Sequence, residues 1–557
     1  SIPGIYDNIL VLDFKSLYPS IIKTFNIDPL SYLGKTKQKD CIEAPNGARF
    51  SRKEGILPSV IQNIWEERDK VKKQKDEIAS FALKTIMASF IGVMGNPSYR
   101  FFNLDIINAI THFGQFIIKL TAKEIEKMDY KVIYSDSITK DRYVTFLIDG
   151  ILTVKNIEEL FLEHKHNMKK RGDKEVVNFN DKKIKALTLN KRTLQPEFSP
   201  INEIIRHKTN KKIYRINQKY GETICSEDHS LMIFDNNKLK EIKPTDLNNR
   251  KLVTIDNIPP IKKINEIDMY DLLKNYRYDR NYKKRIKISV VHKDEKYVWF
   301  SWMNLKKHVK LKRFIKVDSK EFVSLIRLLG AYISEGASST IETTNTRKGA
   351  TIASSNEHWL EQIQKDFHNL FINTETSIIS STKKERRLKY KNNGKSKFVI
   401  YQDKTKKLQM MSEIVAIFFK VLGGQKSTGK KLPSFIYHVP KKYKLILLNK
   451  MIEGDGCRKQ NDIRYSNIYK KKNFTYSTSS LHLISGVSLL AKQLGVNYSL
   501  QYRPSKKHYT FTTSNKNNIR LNTKITNEKY HDYLYDLNIE KNNMFVDSCG
   551  QILLHNT

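Results

Sequence analysis

The chain has 557 residues, 39% of them hydrophobic, enough for several packed domains and too apolar for a wholly disordered chain. A formal charge of +41, from 99 Lys and Arg against 58 Asp and Glu, points to a polyanionic partner, DNA or RNA. The four cysteines Cys41, Cys225, Cys457 and Cys549 show no CxxC spacing, which argues against a disulfide framework or a zinc site. No apolar run is expected to reach the ~20 residues of a membrane span. With no signal peptide and no leading Met before Ser1, the expectation is an intracellular piece of a longer product, cytoplasmic or at the nucleoid, with no membrane partner.

In chain order, residues 9–14 read as a buried strand carrying Asp13, a carboxylate poorly solvated there unless it meets a cation. With Lys15-Ser16-Leu17-Tyr18-Pro19-Ser20-Ile21-Ile22 the string resembles motif A of family B DNA polymerases, DxxSLYPSII. The resemblance implies an α/β palm-and-fingers fragment over residues 1–136. In it Asp13 binds Mg2+, Leu17 offers its backbone to a deoxynucleoside triphosphate and Tyr18 stacks under the sugar. A helix predicted from Leu57-Pro58-Ser59 carries Arg68 and Lys72 on one face. The stretch 81–92 resembles motif B, KxxxNSxYG, and implies Lys84 as third member of a cationic clamp on the triphosphate, with Arg68 and Lys72. Two positions depart from that motif, Ala88 for Asn and Ile91 for Tyr, both lining the base-pair pocket in the family. Val132-Ile133-Tyr134-Ser135-Asp136 resembles the first half of motif C, YxDTDS, which implies Asp136 as a further metal ligand.

At Ser137 that pattern stops, and the final residue, Thr557, is the Thr that motif C lacks; joining Asp136 to Thr557 regenerates Tyr-Ser-Asp-Thr. The chain ends His555-Asn556-Thr557, and an Asn amide nitrogen can attack its own carbonyl and cut the bond after it. Residues 137–556 resemble the inteins inserted in family B polymerases, which implies an all-β Hint (horseshoe) splicing domain that needs no cofactor. By that resemblance Ser137 attacks the Asp136 carbonyl. Ser226 and His229 stand for the family's TxxH, and His229 protonates the leaving amide nitrogen. Asp536 assists the second step, His555 polarises the Asn556 carbonyl, and Thr557 supplies the second nucleophile.

The surplus length has its own signature. Residues 328–336 and 447–456 read as apolar helices ending in acid-Gly, whose small residues allow a close crossing. They resemble the two LAGLIDADG motifs of homing endonucleases. This implies an α+β domain that cuts a homing site in DNA, with Glu335 and Asp455 as Mg2+ ligands and Lys431 as catalytic lysine. Tyr- and Lys-rich stretches at 389–401 and 498–512, and a basic stretch at 277–312, suit DNA contact.

The expected multidomain organisation is therefore polymerase fragment 1–136, splicing segments 137–255 and 515–556, an endonuclease with DNA-recognition region 256–514, and Thr557 as the first residue beyond. The expected function is self-splicing that restores a DNA-directed DNA polymerase acting on primer-template, its missing parts lying in flanking sequence or a separate chain. The competing reading is a splicing-impaired chain that acts only as a homing endonuclease or a DNA-binding relic.

Overall fold

A computed structural model describes residues 16–34, 40–74, 76–127, 137–171, 174–179, 182–235, 238–282, 285–301, 308–340, 348–380, 385–392, 395–455, 475–513 and 523–555. They form two compact units that divide between Ile133 and Tyr134.

The smaller unit is built from helices Leu17–Thr24, Ile56–Lys73, Glu77–Gly95 and Leu104–Lys127 beside a three-stranded antiparallel sheet. Ile21, Ile22, Phe50, Ile61, Met87 and Ile110 close its core, with Phe25 stacked 3.8 Å from Phe113. The Asp76 carboxylate caps the third helix by accepting from the Ala79 N–H at 2.9 Å. Helices Ile56–Lys73 and Glu77–Gly95 form an antiparallel hairpin, as the motif B region predicts. One sequence expectation fails here: Glu77–Gly95 is long and apolar enough to cross a bilayer by length and composition. Lys84 interrupts its apolar run, which hides it from a reading of uninterrupted stretches.

The larger unit begins with an extensive antiparallel sheet. Strand Pro196–Lys208 bends through it, pairing with Ile184–Leu189 along its first half and with Tyr533–Ile539 along its second. A hairpin forms between Lys212–Gln218 and Gly221–Ser226, and its turn needs glycine. A Cβ on Gly221 would lie 2.3 Å from the Cys549 carbonyl oxygen, so the C-terminal turn packs directly on this backbone. The chain's end is a second hairpin, Met544–Asp547 with Ile552–His555, all eight residues buried.

Two helices, Lys320–Glu335 and Lys441–Asp455, cross in the other half of the unit, and each leads into an antiparallel sheet. The crossing is close because Gly330 has no side chain: a Cβ there would meet the Lys450 Cβ at 2.9 Å and the Leu447 carbonyl oxygen at 3.0 Å. A Cβ on Gly454 would meet the Ser334 hydroxyl at 2.3 Å. A further helix spans Leu481–Leu494. The basic stretch at 277–312 folds, with Phe371–Ile372, into a five-stranded sheet.

The two halves of this unit are fastened through strand Ile151–Asn156. The buried His438 accepts from the Leu152 N–H at 2.8 Å on Nε2, while its Nδ1 donates to the Lys262 carbonyl at 2.6 Å. His482 donates from Nε2 to the Val154 carbonyl at 2.9 Å, and burial pushes its pKa down to about 4. Both imidazoles are thereby neutral, satisfied hydrogen-bonding groups.

Candidate functional site

The first candidate site gathers segments from both ends of residues 137–556. Ile138–Thr139 is a two-residue strand slotted between two others, Ile138 facing Cys225 on one side and Tyr535 on the other. Antiparallel register then sets Ser137, one step back, between Ser226 and Asp536. The Ser226 N–H donates to the Ser137 carbonyl at 3.0 Å, which fixes that step. Ser137 is 2% exposed, so its hydroxyl is held in a dry, rigid position.

The next turn supplies the histidine. The His229 N–H donates to the Ser226 carbonyl at 3.1 Å, a tight turn that keeps both residues beside Ser137, and His229 is fully buried. The C-terminal strand closes the site: Leu554 pairs with Leu231, and the His555 N–H donates to the Ser230 carbonyl at 3.1 Å. Ser137, Ser226, His229, Asp536 and His555 thus meet around one set of backbone hydrogen bonds. The Ser226 hydroxyl is buried and hydrogen-bonds to nothing among the described residues. Asp136, Asn556 and Thr557 lie outside the described residues.

Three features here escaped the sequence. Asp536 lies 3.9 Å from Nδ1 of His207, two residues along the partner strand on the same face. His555 Nε2 lies 3.3 Å from Glu241 Oε1 and 3.4 Å from Lys191 Nζ. Arg142, on the segment that opens at Ser137, is fully buried and makes a two-pronged pair with Asp547, Nε to Oδ2 at 2.8 Å and Nη2 to Oδ1 at 2.9 Å. It also donates to the Glu222 carbonyl at 2.7 Å, and Glu222 in turn accepts from Arg215 at 2.8 Å and from the Tyr509 hydroxyl at 3.3 Å. An Arg beside the apolar run Tyr143–Ile148 was the one sequence signal for this network.

The second candidate site lies where the two close-packed helices end in Glu335 and Asp455. Burial raises the pKa of both carboxyls; Asp455 is pushed up to about 6, first by burial and then by Glu335, with Lys430 opposing. Two acids that resist ionising together are a donor set short of positive charge, which suits a hard divalent cation. The cation already at hand is Lys430. Its Nζ donates to the Tyr332 carbonyl at 2.7 Å and the Gly336 carbonyl at 2.8 Å, and burial lowers its pKa to about 7 against the pull of Asp455.

This corrects one sequence assignment. Lys431, expected as the lysine of this site, faces the other way: after burial, the charges it feels are Glu159 and Lys155. Neighbouring residues of an extended segment point to opposite sides, and the sequence alone gave no means to choose between them. Among the described residues no group of three or more His, Cys, Asp or Glu gathers to hold a metal ion; at the helix crossing the acids are the pair Glu335 and Asp455.

In the smaller unit, the Arg68 guanidinium donates to the Ser80 carbonyl at 3.3 Å and to the Ser16 hydroxyl at 3.4 Å, bridging the helix hairpin to the segment before Leu17. Lys72 and Lys84 are exposed on the two helices of that hairpin, and Tyr18 is 41% exposed. Asp13 and Asp136, and the side chains of Ala88 and Ile91, lie outside what the structure describes.

Comparison with known proteins accords with this division. The family model described as the intein splicing domain matches residues 145–556, well over half of the sequence, and the chain belongs to that family. The model of DNA polymerase family B matches residues 2–156. DNA polymerase II of Escherichia coli is 45% identical over 138 residues, covering 24% of this chain and 18% of that protein. The match therefore spans less than a fifth of this relative's length. Among solved structures, the chain is similar to an intein from a hyperthermophile, at 15% identity and a TM-score of 0.20, covering 33% of this chain and 99% of that one. It is also similar to variants of the homing endonuclease I-DmoI, at 10% identity and a TM-score of 0.24, covering 35% and 85%. The protein is thus multidomain, a segment similar to family B DNA polymerases followed by an intein splicing domain.

Proposed function

We propose that residues 137–556 excise themselves and join Asp136 to Thr557, restoring polymerase motif C. The observation that carries this reading is the Ser226 N–H bond to the Ser137 carbonyl, in a register that flanks Ser137 with Asp536 while His555 binds the same turn. Residues at both ends of a 420-residue segment meet there. In the reading, the Ser137 hydroxyl loses its proton and attacks the Asp136 carbonyl carbon. The amide C–N bond breaks, and His229 protonates the departing nitrogen. Thr557 then attacks the ester and releases the Ser137 hydroxyl. Asn556 cyclises, freeing the segment, and an oxygen-to-nitrogen shift leaves an ordinary amide. Burial of Ser137, Ser226, His229, Asp536 and His555 favours a positioned, water-excluded reaction. In a chain extended beyond Thr557, intact-mass spectrometry should find the free segment and the ligated flanks. Unprocessed precursor alone would overturn the proposal.

The domain in between reads as a site-specific DNA endonuclease of Hint-inserted, LAGLIDADG type. Glu335 and Asp455 would hold Mg2+, which when bound supplies charge stabilisation to phosphodiester hydrolysis. Lys430 offers a proton donor and acceptor near neutral pH, and the basic sheets offer phosphate contacts. The spliced product reads as a DNA-directed DNA polymerase on primer-template. There Arg68, Lys72 and Lys84 would meet the triphosphate, Leu17 and Tyr18 its sugar end, and Asp13 and Asp136 the metal. An intracellular site follows from those substrates.

A further inference from the structure

The buried imidazole of His555 has one nitrogen, Nε2, between two partners of opposite charge. Glu241 Oε1 lies 3.3 Å away and Lys191 Nζ 3.4 Å away. They come from separate elements: Glu241 from strand Lys238–Ile242, and Lys191 from the turn between strands Ile184–Leu189 and Pro196–Lys208. That turn is braced. Asn190 Oδ1 accepts from the N–H groups of Arg192 and Thr193, and the Lys191 N–H donates to Asn542 Oδ1 at 3.5 Å. The Asn542 amide is tied in turn to Glu197 at 2.6 Å. Of the other described elements, strand Met544–Asp547 sets Met544 opposite His555, and the turn that carries the titratable His229 offers the Ser230 carbonyl.

An ammonium can only donate and a carboxylate only accept. A neutral imidazole with its proton on Nδ1 takes a hydrogen bond from Lys191 on Nε2. An imidazolium carries a proton on Nε2 and gives it to Glu241. The two bonds exclude each other, so the pair stabilises opposite protonation states of one ring.

We propose that Lys191 and Glu241 are positioning residues that set the charge of His555, and through it the pH range of Asn556 cyclisation. The inference rests on the splicing reading. In that step the Asn556 side-chain nitrogen bonds to its own carbonyl carbon and loses a proton. The bond to the Thr557 nitrogen breaks, and that nitrogen takes a proton from the imidazolium. Cyclisation is then fastest with His555 charged and declines as pH rises through its pKa.

The test uses the full chain, extended beyond Thr557 and carrying Ser137→Ala so that only cyclisation releases the C-terminal flank. Release is followed by mass spectrometry from roughly pH 5 to 9, the span a histidine can cover. Glu241→Gln should move the midpoint down by about one pH unit, and Lys191→Met should move it up by about one, the size of an ordinary neighbouring-charge effect. Glu241→Asp and Lys191→Arg should restore it. Glu241 is half exposed, so these changes leave the fold intact. Unmoved midpoints, or shifts in the same direction, overturn the inference while Asn556→Ala still blocks release. If Asn556→Ala fails to block release, the splicing reading itself is wrong. NMR titration of the His555 ring, assigned with His555→Gln, decides the charge effect in that event: opposite shifts in the two variants uphold it and equal ones end it.

Discussion

Around Ser137, position is set by backbone: Ile138 is clamped between Cys225 and Tyr535, and a carbonyl bond to Ser226 fixes the last step. Around Glu335 and Asp455, position is set by helix packing at Gly330 and Gly454, and the side chains meet as charges that resist one another. The first arrangement holds the Ser137 hydroxyl out of solvent. The second carries an electrostatic strain that an added cation would relieve. Sheet register therefore suits a reaction of the chain on itself, and a crowded acid pair suits a reaction on a bound polyanion.

The difference can be broken most severely at the nucleophile. Ser137→Ala should lower formation of the ligated product at least about a thousandfold, as loss of a covalent nucleophile does, with DNA cutting unchanged. Gel analysis of both activities checks this, and a joint loss would merge what the geometry separates.

Arg142→Met comes next. It strands Asp547 and Glu222 without their buried partner and should cost about 3–5 kcal/mol, read as a lower urea midpoint. Because Tyr509 reaches the same Glu222, unfolding should spread into the half that holds the crossing helices rather than stop at the sheet.

The acid pair sharpens the contrast through its signs. Burial and Glu335 raise Asp455 from 3.8 to about 6, so its proton stabilises the fold at low pH, an advantage lost as pH rises through about 6. Activity needs the carboxylate and should rise over the same range. Asp455→Asn should abolish plasmid cutting, spare splicing and, since the site is partly open to solvent, stabilise the fold at pH 7 by only about 1 kcal/mol. A destabilised variant at neutral pH would contradict the strain.

A change confined to stability, with no loss of either activity, is expected at the helix crossing. Gly330→Ala forces its new methyl against Lys450 and the Leu447 carbonyl and should cost about 1–3 kcal/mol. Differential scanning calorimetry should find it in the half that holds the two crossing helices, with the chemistry proposed for Ser137 unaffected.

The sequence alone marked the two acid-tipped helices and the helices bearing Arg68 and Lys84. Each is a local pattern, an apolar period or a run of adjacent residues, that short-range sterics enforce. It misplaced the lysine beside Asp455, because Lys430 and Lys431 differ only in which way an extended chain turns them. It gave no sign of His207 beside Asp536 or of Lys191 and Glu241 around His555, and only an Arg beside an apolar run for the Arg142 network. Those pairings join residues tens to hundreds of positions apart. Only the closing of the sheet brings them within hydrogen-bond reach, where burial makes each charge depend on its neighbour.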